Sequence, residues 1–154
     1  MERHGRAFLA AAATALVAAV PVAAWGLMEQ QDAEGLPASE LDHAFQPWDI
    51  ADGTATVIGA TALLVTAVAA ALLVRATRRG ALDWRWWSVL GPLTVAGLLA
   101  GVGWRVLTAG VVGANIGAGL TIMLGGPVVA GLMLWSLARS VWLAICYGTE
   151  RITK

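Results

Sequence analysis

The chain has 154 residues, of which 58% are hydrophobic and 13% are charged, and its mean hydropathy is +0.72. Soluble domains carry roughly 25% charged residues, so this chain lacks the polar side chains needed to cover an apolar core, and lipid is its natural solvent. The formal net charge of zero offers no basic face for nucleic acid, and the single cysteine, Cys146, excludes an internal disulfide or a CxxC pair.

The first predicted element is a transmembrane helix over residues 7–28, which contain no charged side chain. A cleaved signal peptide is an alternative, because Arg3 and Arg6 precede the run, and Pro21 and small residues at 22–24 resemble the end of such a peptide. Cleavage after residue 24 would leave three spans. The apolar run continues to Met28, which is longer than a usual signal-peptide core and favours retention.

An acidic loop follows at residues 29–54 and contains no Lys or Arg. Within it, Asp42 and His43, with Glu40 and Asp49 nearby, could form a carboxylate–histidine metal site. The competing interpretation is a solvated acidic loop, in which Ser39 and Asp42 form a capping box. No ligand spacing here is diagnostic of a metal, so we expect neither a metal nor a cofactor.

A second span is predicted at residues 55–74, and a basic loop follows at 75–85. This loop carries Arg75, Arg78, Arg79 and Arg85. Such residues can contact anionic lipid headgroups, each contact being worth about 1 kcal/mol. The same residues are also what membrane topology requires of a cytoplasmic loop, which is the better explanation.

Residues 86–138 contain one charged side chain, Arg105, and are too long for a single span. They are predicted to hold two spans, 87–107 and 116–138, joined by a tight turn between Arg105 and Asn115. An intramembrane charge suggests function by default, but near a span end beside Trp104 it can snorkel to the headgroups or pair with the acidic loop. Asn115 could cap the fourth helix or form an interhelical hydrogen bond, and the cap is favoured.

Small residues suggest how the spans pack. Gly97 and Gly101 form one GxxxG pair, and Gly113 and Gly117 form another. We expect these two faces to meet within the chain, with the third and fourth helices as the tightest pair, although docking to another subunit is the alternative. The sequence 125–127, Gly-Gly-Pro, predicts a kink in the fourth helix. A broken, ion-binding helix at this point is the competing interpretation.

The charges predict the orientation of the four spans. Nine basic residues fall on one side, which the positive-inside rule makes cytoplasmic together with both termini: Arg3, Arg6, Arg75, Arg78, Arg79, Arg85, Arg139, Arg151 and Lys154. Seven acidic residues fall in the opposite, extracytoplasmic loop: Glu29, Asp32, Glu34, Glu40, Asp42, Asp49 and Asp52. The tryptophans agree, since Trp25, Trp48 and Trp104 map near the outer interface and the other five near the inner one.

The sequence therefore predicts an all-α protein of one domain, residues 1–154: a polytopic four-transmembrane-helix bundle in the plasma membrane. The Arg-rich, Ala-rich and Gly-rich composition favours a bacterial source. The predicted spans contain no Asp, Glu, His or Lys for proton coupling or haem ligation, and no catalytic motif is evident. We expect no enzyme activity, but an accessory, scaffold or assembly subunit with a protein partner or a second copy of itself. A small oligomeric transporter or channel is the alternative.

Overall fold

A computed structural model describes residues 2–29, 32, 44–46, 48, 50–110 and 114–149. Its regular elements are all helical: α1 (Glu2–Leu27), α2 (Asp52–Arg78), a 3-10 turn (Trp84–Trp86), α3 (Trp87–Leu107), α4 (Ala114–Leu120), a π segment (Thr121–Gly125) and α5 (Gly126–Thr149). The last three elements follow one another without interruption, and together they are called the fourth helix below.

Four helices are long and apolar enough to cross a membrane: Ala7–Leu27, Gly53–Arg78, Trp84–Leu107 and Ile116–Cys146. The number and approximate positions of these apolar helices match the four predicted spans. The helices continue beyond the predicted ends, most clearly in α2 and in the fourth helix. The predicted turn is also in place, because α3 ends at Leu107 and α4 begins at Ala114.

The helices form an open row in the order α2, α1, α3 and fourth helix. Extensive backbone contacts join α2 to α1, α1 to α3, and α3 to α5, and no comparable contact joins α2 to α5 in the described part of the chain. A closed four-helix bundle would bring the two end helices together. The expected bundle is thus observed as a row, whose end helices each have one extensive helical neighbour.

The most extensive contact is the antiparallel pair of α1 and α2. Its residues alternate at spacings of four and three along each helix, which is the seam of a coiled coil. On α1 the seam comprises Ala12, Leu16, Ala19, Ala23 and Gly26, and on α2 it comprises Ala55, Gly59, Ala62, Thr66, Ala69 and Leu73. Most of these residues are small, so the two backbones approach closely.

The expectation that the third and fourth helices are the tightest pair, joined through glycine faces, is wrong. The Gly97–Gly101 face lies against α1: a Cβ added at Gly97 would be 3.1 Å from Pro21 Cδ, and one added at Gly101 would be 2.7 Å from Ala24 Cβ. Gly117 has no atom beyond its chain neighbours and its own helix backbone within 4 Å of its Cβ position, and Gly113 lies outside the described residues. Helix α1 packs on the Gly97–Gly101 face because its own small residues and Pro21 leave a matching recess.

The Gly-Gly-Pro sequence perturbs the fourth helix without breaking it. Residues Thr121–Gly125 form π turns, and α5 continues from Gly126 with Pro127 as its second residue. Proline has no N–H to bond the carbonyl of Met123, and its ring crowds that carbonyl. Wider π turns just before the proline accommodate this, so the observed feature is a π segment and not a gap in the helix.

The row has two chemically different ends. At the arginine end lie Arg75, Arg78, Arg79, Arg85 and Arg139, together with the start of α1. At the tryptophan end lie Trp25, Trp48, Trp104 and Arg105, together with Asp32 and the start of α2. Among the described residues, these five arginines therefore share one end with Asp83, and Asp32 lies at the other.

Candidate functional site

Arg105 is the charged side chain that the sequence placed inside a span, and it is buried against a neighbouring helix. It lies in the last turn of α3 and is 6% exposed. Its Nε donates a hydrogen bond of 2.7 Å to the backbone carbonyl of Trp25 in α1. Its Cζ lies 4.9 Å from the centroid of the Trp25 ring. One residue of α1 thus contacts both the edge and the face of the guanidinium.

Two helix ends make this position favourable for a cation. Helices α1 and α3 are parallel neighbours, and they end together, at Leu27 and Leu107. The last carbonyls of a helix lack intrahelical partners and carry the negative end of its dipole. A planar guanidinium can donate to such a carbonyl and stack on an aromatic ring at the same time. Arg105, in the last turn of α3, therefore satisfies the Trp25 carbonyl in the last turn of α1 and joins the two helix ends.

Three tryptophans from separate parts of the chain pack against one another beside this arginine. The ring centroids of Trp25 and Trp48 are 5.8 Å apart in an edge-to-face arrangement, and those of Trp48 and Trp104 are 5.5 Å apart. Trp48 belongs to the connection between α1 and α2 and is 62% exposed. It forms the outer layer of the cluster, which we call the tryptophan cluster.

Backbone and side-chain hydrogen bonds attach the α1–α2 connection to the end of α3. The N–H of Gly110 donates to Oδ1 of Asp32 at 2.9 Å, and the N–H of Phe45 donates to the carbonyl of Leu107 at 3.2 Å. Thr108 is 1% exposed, and its hydroxyl donates to the carbonyl of Trp104 at 2.9 Å. These bonds satisfy polar groups at the helix end and hold the described parts of the connection over it.

The described tryptophans lie at the two predicted ends. Arg105 was expected to snorkel to the headgroups or to pair with the acidic loop. Its side chain is covered by protein beside Trp25, and most of the acidic loop lies outside the described residues. Sequence reasoning could not identify Trp25 as its partner, because eighty residues separate the two. Asn115 is the second residue of α4, one position inside the helix and not before it, and its side chain lies outside the described residues.

The possible metal site cannot be placed. Glu40, Asp42, His43 and Asp49 all lie outside the described residues. Within the described ranges, no group of three or more His, Cys, Asp or Glu side chains could hold a metal ion.

The arginine end contains interhelical hydrogen bonds that sequence reasoning missed. The hydroxyl of Ser136 in α5, 1% exposed, shares its hydrogen between the carbonyl of Leu132 in its own helix at 2.8 Å and that of Val89 in α3 at 3.2 Å. Trp87 Nε1 donates to Thr77 Oγ1 at 3.0 Å, which links α3 to α2. The sequence clue was Ser136, a hydroxyl residue inside an apolar span, because hydroxyl groups in such spans form hydrogen bonds to neighbouring helices.

Arg139 forms a second cation–aromatic contact at this end. Its Cζ lies 4.7 Å from the centroid of the Trp142 ring, one turn further along α5, and its Nε donates to Ser88 Oγ at 3.3 Å. Ser136, Trp87 and Arg139 thus join helices at the arginine end, as Arg105 does at the other end.

Comparison with known proteins adds no assignment. No protein-family model matches the chain, no curated protein matches it, and no solved structure matches it.

Proposed function

We propose that this protein is a non-catalytic integral membrane protein that serves as an accessory, scaffold or assembly subunit of a complex in the plasma membrane. Both termini and the arginine end face the cytoplasm in this proposal, and the 29–54 loop faces outward, as the positive-inside rule requires. The partner is a different membrane protein or a second copy of this chain.

The observation that carries the proposal is the open end of the row at the fourth helix. Large apolar side chains along this helix are exposed, among them Met123 at 75%, Leu134 at 66% and Ile145 at 64%. Four of its glycines also have no atom beyond their chain neighbours and their own helix backbone within 4 Å of their Cβ positions: Gly117, Gly119, Gly126 and Gly131. Small residues on an uncovered helix allow another helix to approach closely in a membrane. The fourth helix therefore has an apolar surface that a partner could bury and glycines that would let the partner's backbone come close.

The contacts of Arg105 support a structural role for the charge near the outer end of α3. A substrate-binding arginine would present its guanidinium to a cavity, whereas the Nε and ring-facing surface of Arg105 are engaged by Trp25. This contact pattern favours assembly over transport.

One observation favours the alternative of a small oligomeric transporter or channel. The π segment at Thr121–Gly125 lies within the fourth helix, and π segments inside α-helices are frequent at functional sites. In an oligomer whose fourth helices line a pore, this segment would face the pathway.

Purification in mild detergent and a flux assay in liposomes separate the two functions. The accessory role predicts a stoichiometric second polypeptide, or a defined homo-oligomer, and no solute flux above that of empty liposomes. The transporter predicts specific flux that falls in Pro127→Ala, with Pro92→Ala in α3 as the control. A protein that is monomeric and carries specific flux on its own would overturn the proposed role.

A further inference from the structure

Two adjoining cavities form a groove along the outside of the α1–α2 pair. The cavity at the arginine end has a volume of about 640 Å³ and is lined by Arg75, Arg79 and apolar side chains. The cavity nearer the middle of the helices has a volume of about 430 Å³, and all of its lining side chains are apolar. Phe8 of α1 and Leu72 of α2 line both cavities, so the two are adjacent along the helix pair.

The groove follows from small residues of α1 that lie beside the seam. Ala11 and Ala15 of α1 face Leu64 and Val68 of α2 across the apolar cavity. Methyl side chains on α1 leave a channel between the helices that larger residues would fill. This channel runs along the helix pair from the arginine end toward the middle of the predicted spans.

Arg75 and Arg79 lie at the arginine end of the groove. Arg75 and Arg79 are four residues apart at the end of α2, which places them one above the other on one face. Both are exposed and line the cavity, whereas Arg78 and Arg85, also exposed, line neither cavity. The charge is thus concentrated where the apolar channel ends.

We propose that this groove binds one anionic phospholipid of the leaflet at the arginine end. The headgroup phosphate lies between Arg75 and Arg79, and one acyl chain lies along Ala11, Ala15 and Val68. Basic pockets between helices on the cytoplasmic side are suited to anionic headgroups, and guanidinium groups are suited to phosphate oxygens. The proposal rests on the proposed membrane location and orientation, but not on the accessory role.

The combination of the two cavities selects a lipid over a soluble anion. A free phosphate would use the arginines alone and leave the apolar cavity without a ligand. A neutral lipid would use the apolar channel and gain nothing from the arginine pair. A single molecule with a negative head and a hydrocarbon tail matches both parts.

Recognition of the lipid headgroup is tested on the purified full-length protein in a neutral detergent. Native mass spectrometry and thermal unfolding are recorded with phosphatidylglycerol or with phosphatidylcholine of identical acyl chains. We expect one retained phosphatidylglycerol and a higher Tm with that lipid. The double variant Arg75→Gln/Arg79→Gln should bind it about 30-fold more weakly, since each basic contact is worth about fivefold in affinity.

The matched control is Arg78→Gln/Arg85→Gln, which removes the same charge from the same end of the protein but leaves the groove intact. Its affinity for phosphatidylglycerol should remain within about twofold of the original protein. Equal weakening in both double variants would show only a general attraction between basic residues and anionic lipid, and would overturn the site.

The tail is tested with Ala11→Leu, which fills the channel, against Ala10→Leu, which adds the same volume at an exposed position of α1 that lines neither cavity. Ala11→Leu should abolish retention of the lipid while the protein stays folded, and Ala10→Leu should leave retention unchanged. Inorganic phosphate should produce no shift in Tm. A shift with phosphate alone, or equal binding of the two phospholipids, would contradict the proposal. Partner co-purification is a separate readout, so failure of the accessory role would be seen independently.

Discussion

Gly26 of α1 and Gly59 of α2 meet backbone to backbone. A Cβ added to Gly26 would lie 2.6 Å from the Cα of Gly59 and 2.6 Å from the carbonyl oxygen of Ala55. No real Cβ is tolerated so close to a backbone, so either helix must move if a side chain is added. The α1–α2 seam is therefore fixed at this end by the absence of two side chains.

Gly59→Ala should destabilise the protein by about 1–3 kcal/mol, the usual cost of overpacking a tight contact. Reversible unfolding in detergent, or the shift in Tm, measures the loss. The control is Gly131→Ala, because a Cβ added to Gly131 of α5 would meet nothing within 4 Å beyond its own helix. There the gain in helix propensity should raise stability slightly. Equal behaviour of the two variants would show that α1 and α2 are not in contact at this point.

Gly101→Ala tests whether the GxxxG face of α3 meets α1. The added methyl would contact the Pro21 carbonyl and the Ala24 side chain, so we expect a lower Tm. Leu99→Ala, at a position that is 39% exposed, should cost less. Adding Ala24→Gly to Gly101→Ala should restore part of the loss, because it removes one of the two clashes. If Ala24→Gly does not raise the Tm of Gly101→Ala, the Gly97–Gly101 face contacts a helix other than α1.

The spans and the separation of charge could be predicted from the sequence because both depend on local composition. A long uncharged run crosses lipid, and basic residues collect on one side, whatever the helices contact. The α1–α2 seam was also visible in principle, since Ala55, Gly59, Ala62 and Ala69 recur at spacings that keep them on one helix face.

The choice of helix partners could not be predicted in the same way. Gly97 and Gly101 would fit closely against any helix with a matching recess, and the short α3–α4 turn requires those helices to be neighbours without fixing which faces meet. Only the complete packing shows that Pro21 and Ala24 provide the recess. The contact of Arg105 with Trp25 could not be predicted for the same reason, because it joins two helix ends that are far apart in the sequence.

Arg105→Gln should destabilise the protein by about 2 kcal/mol, since it removes a charge-assisted hydrogen bond to a helix-terminal carbonyl. Arg105→Lys should recover only part of this loss, because an ammonium cannot stack and donate in the same geometry. The control is Arg85→Gln, at an exposed position. Unchanged stability in Arg105→Gln, combined with lost flux in liposomes, would instead assign Arg105 to a substrate pathway.

Reporter fusions test the orientation of the four spans. A cytoplasm-active reporter should function after Lys154 and within the 79–83 turn, and an export-dependent reporter should function within the 29–51 connection. The physical reason is the concentration of basic residues at the arginine end. Activity of the export-dependent reporter after Lys154 would contradict a four-span topology.

The most direct test of the proposed role is site-specific photo-crosslinking from the fourth helix in intact membranes. A photoreactive residue at Leu134, which is 66% exposed, should give a protein adduct of one defined mass. The same residue at Leu64 of α2, which is 68% exposed but lies on the groove proposed for lipid, should give lipid adducts. A Leu134 adduct of one defined protein would support the proposed subunit role. Lipid adducts alone at Leu134, and equally at Met123 and Ile145, would show that no polypeptide covers the fourth helix and would contradict the account.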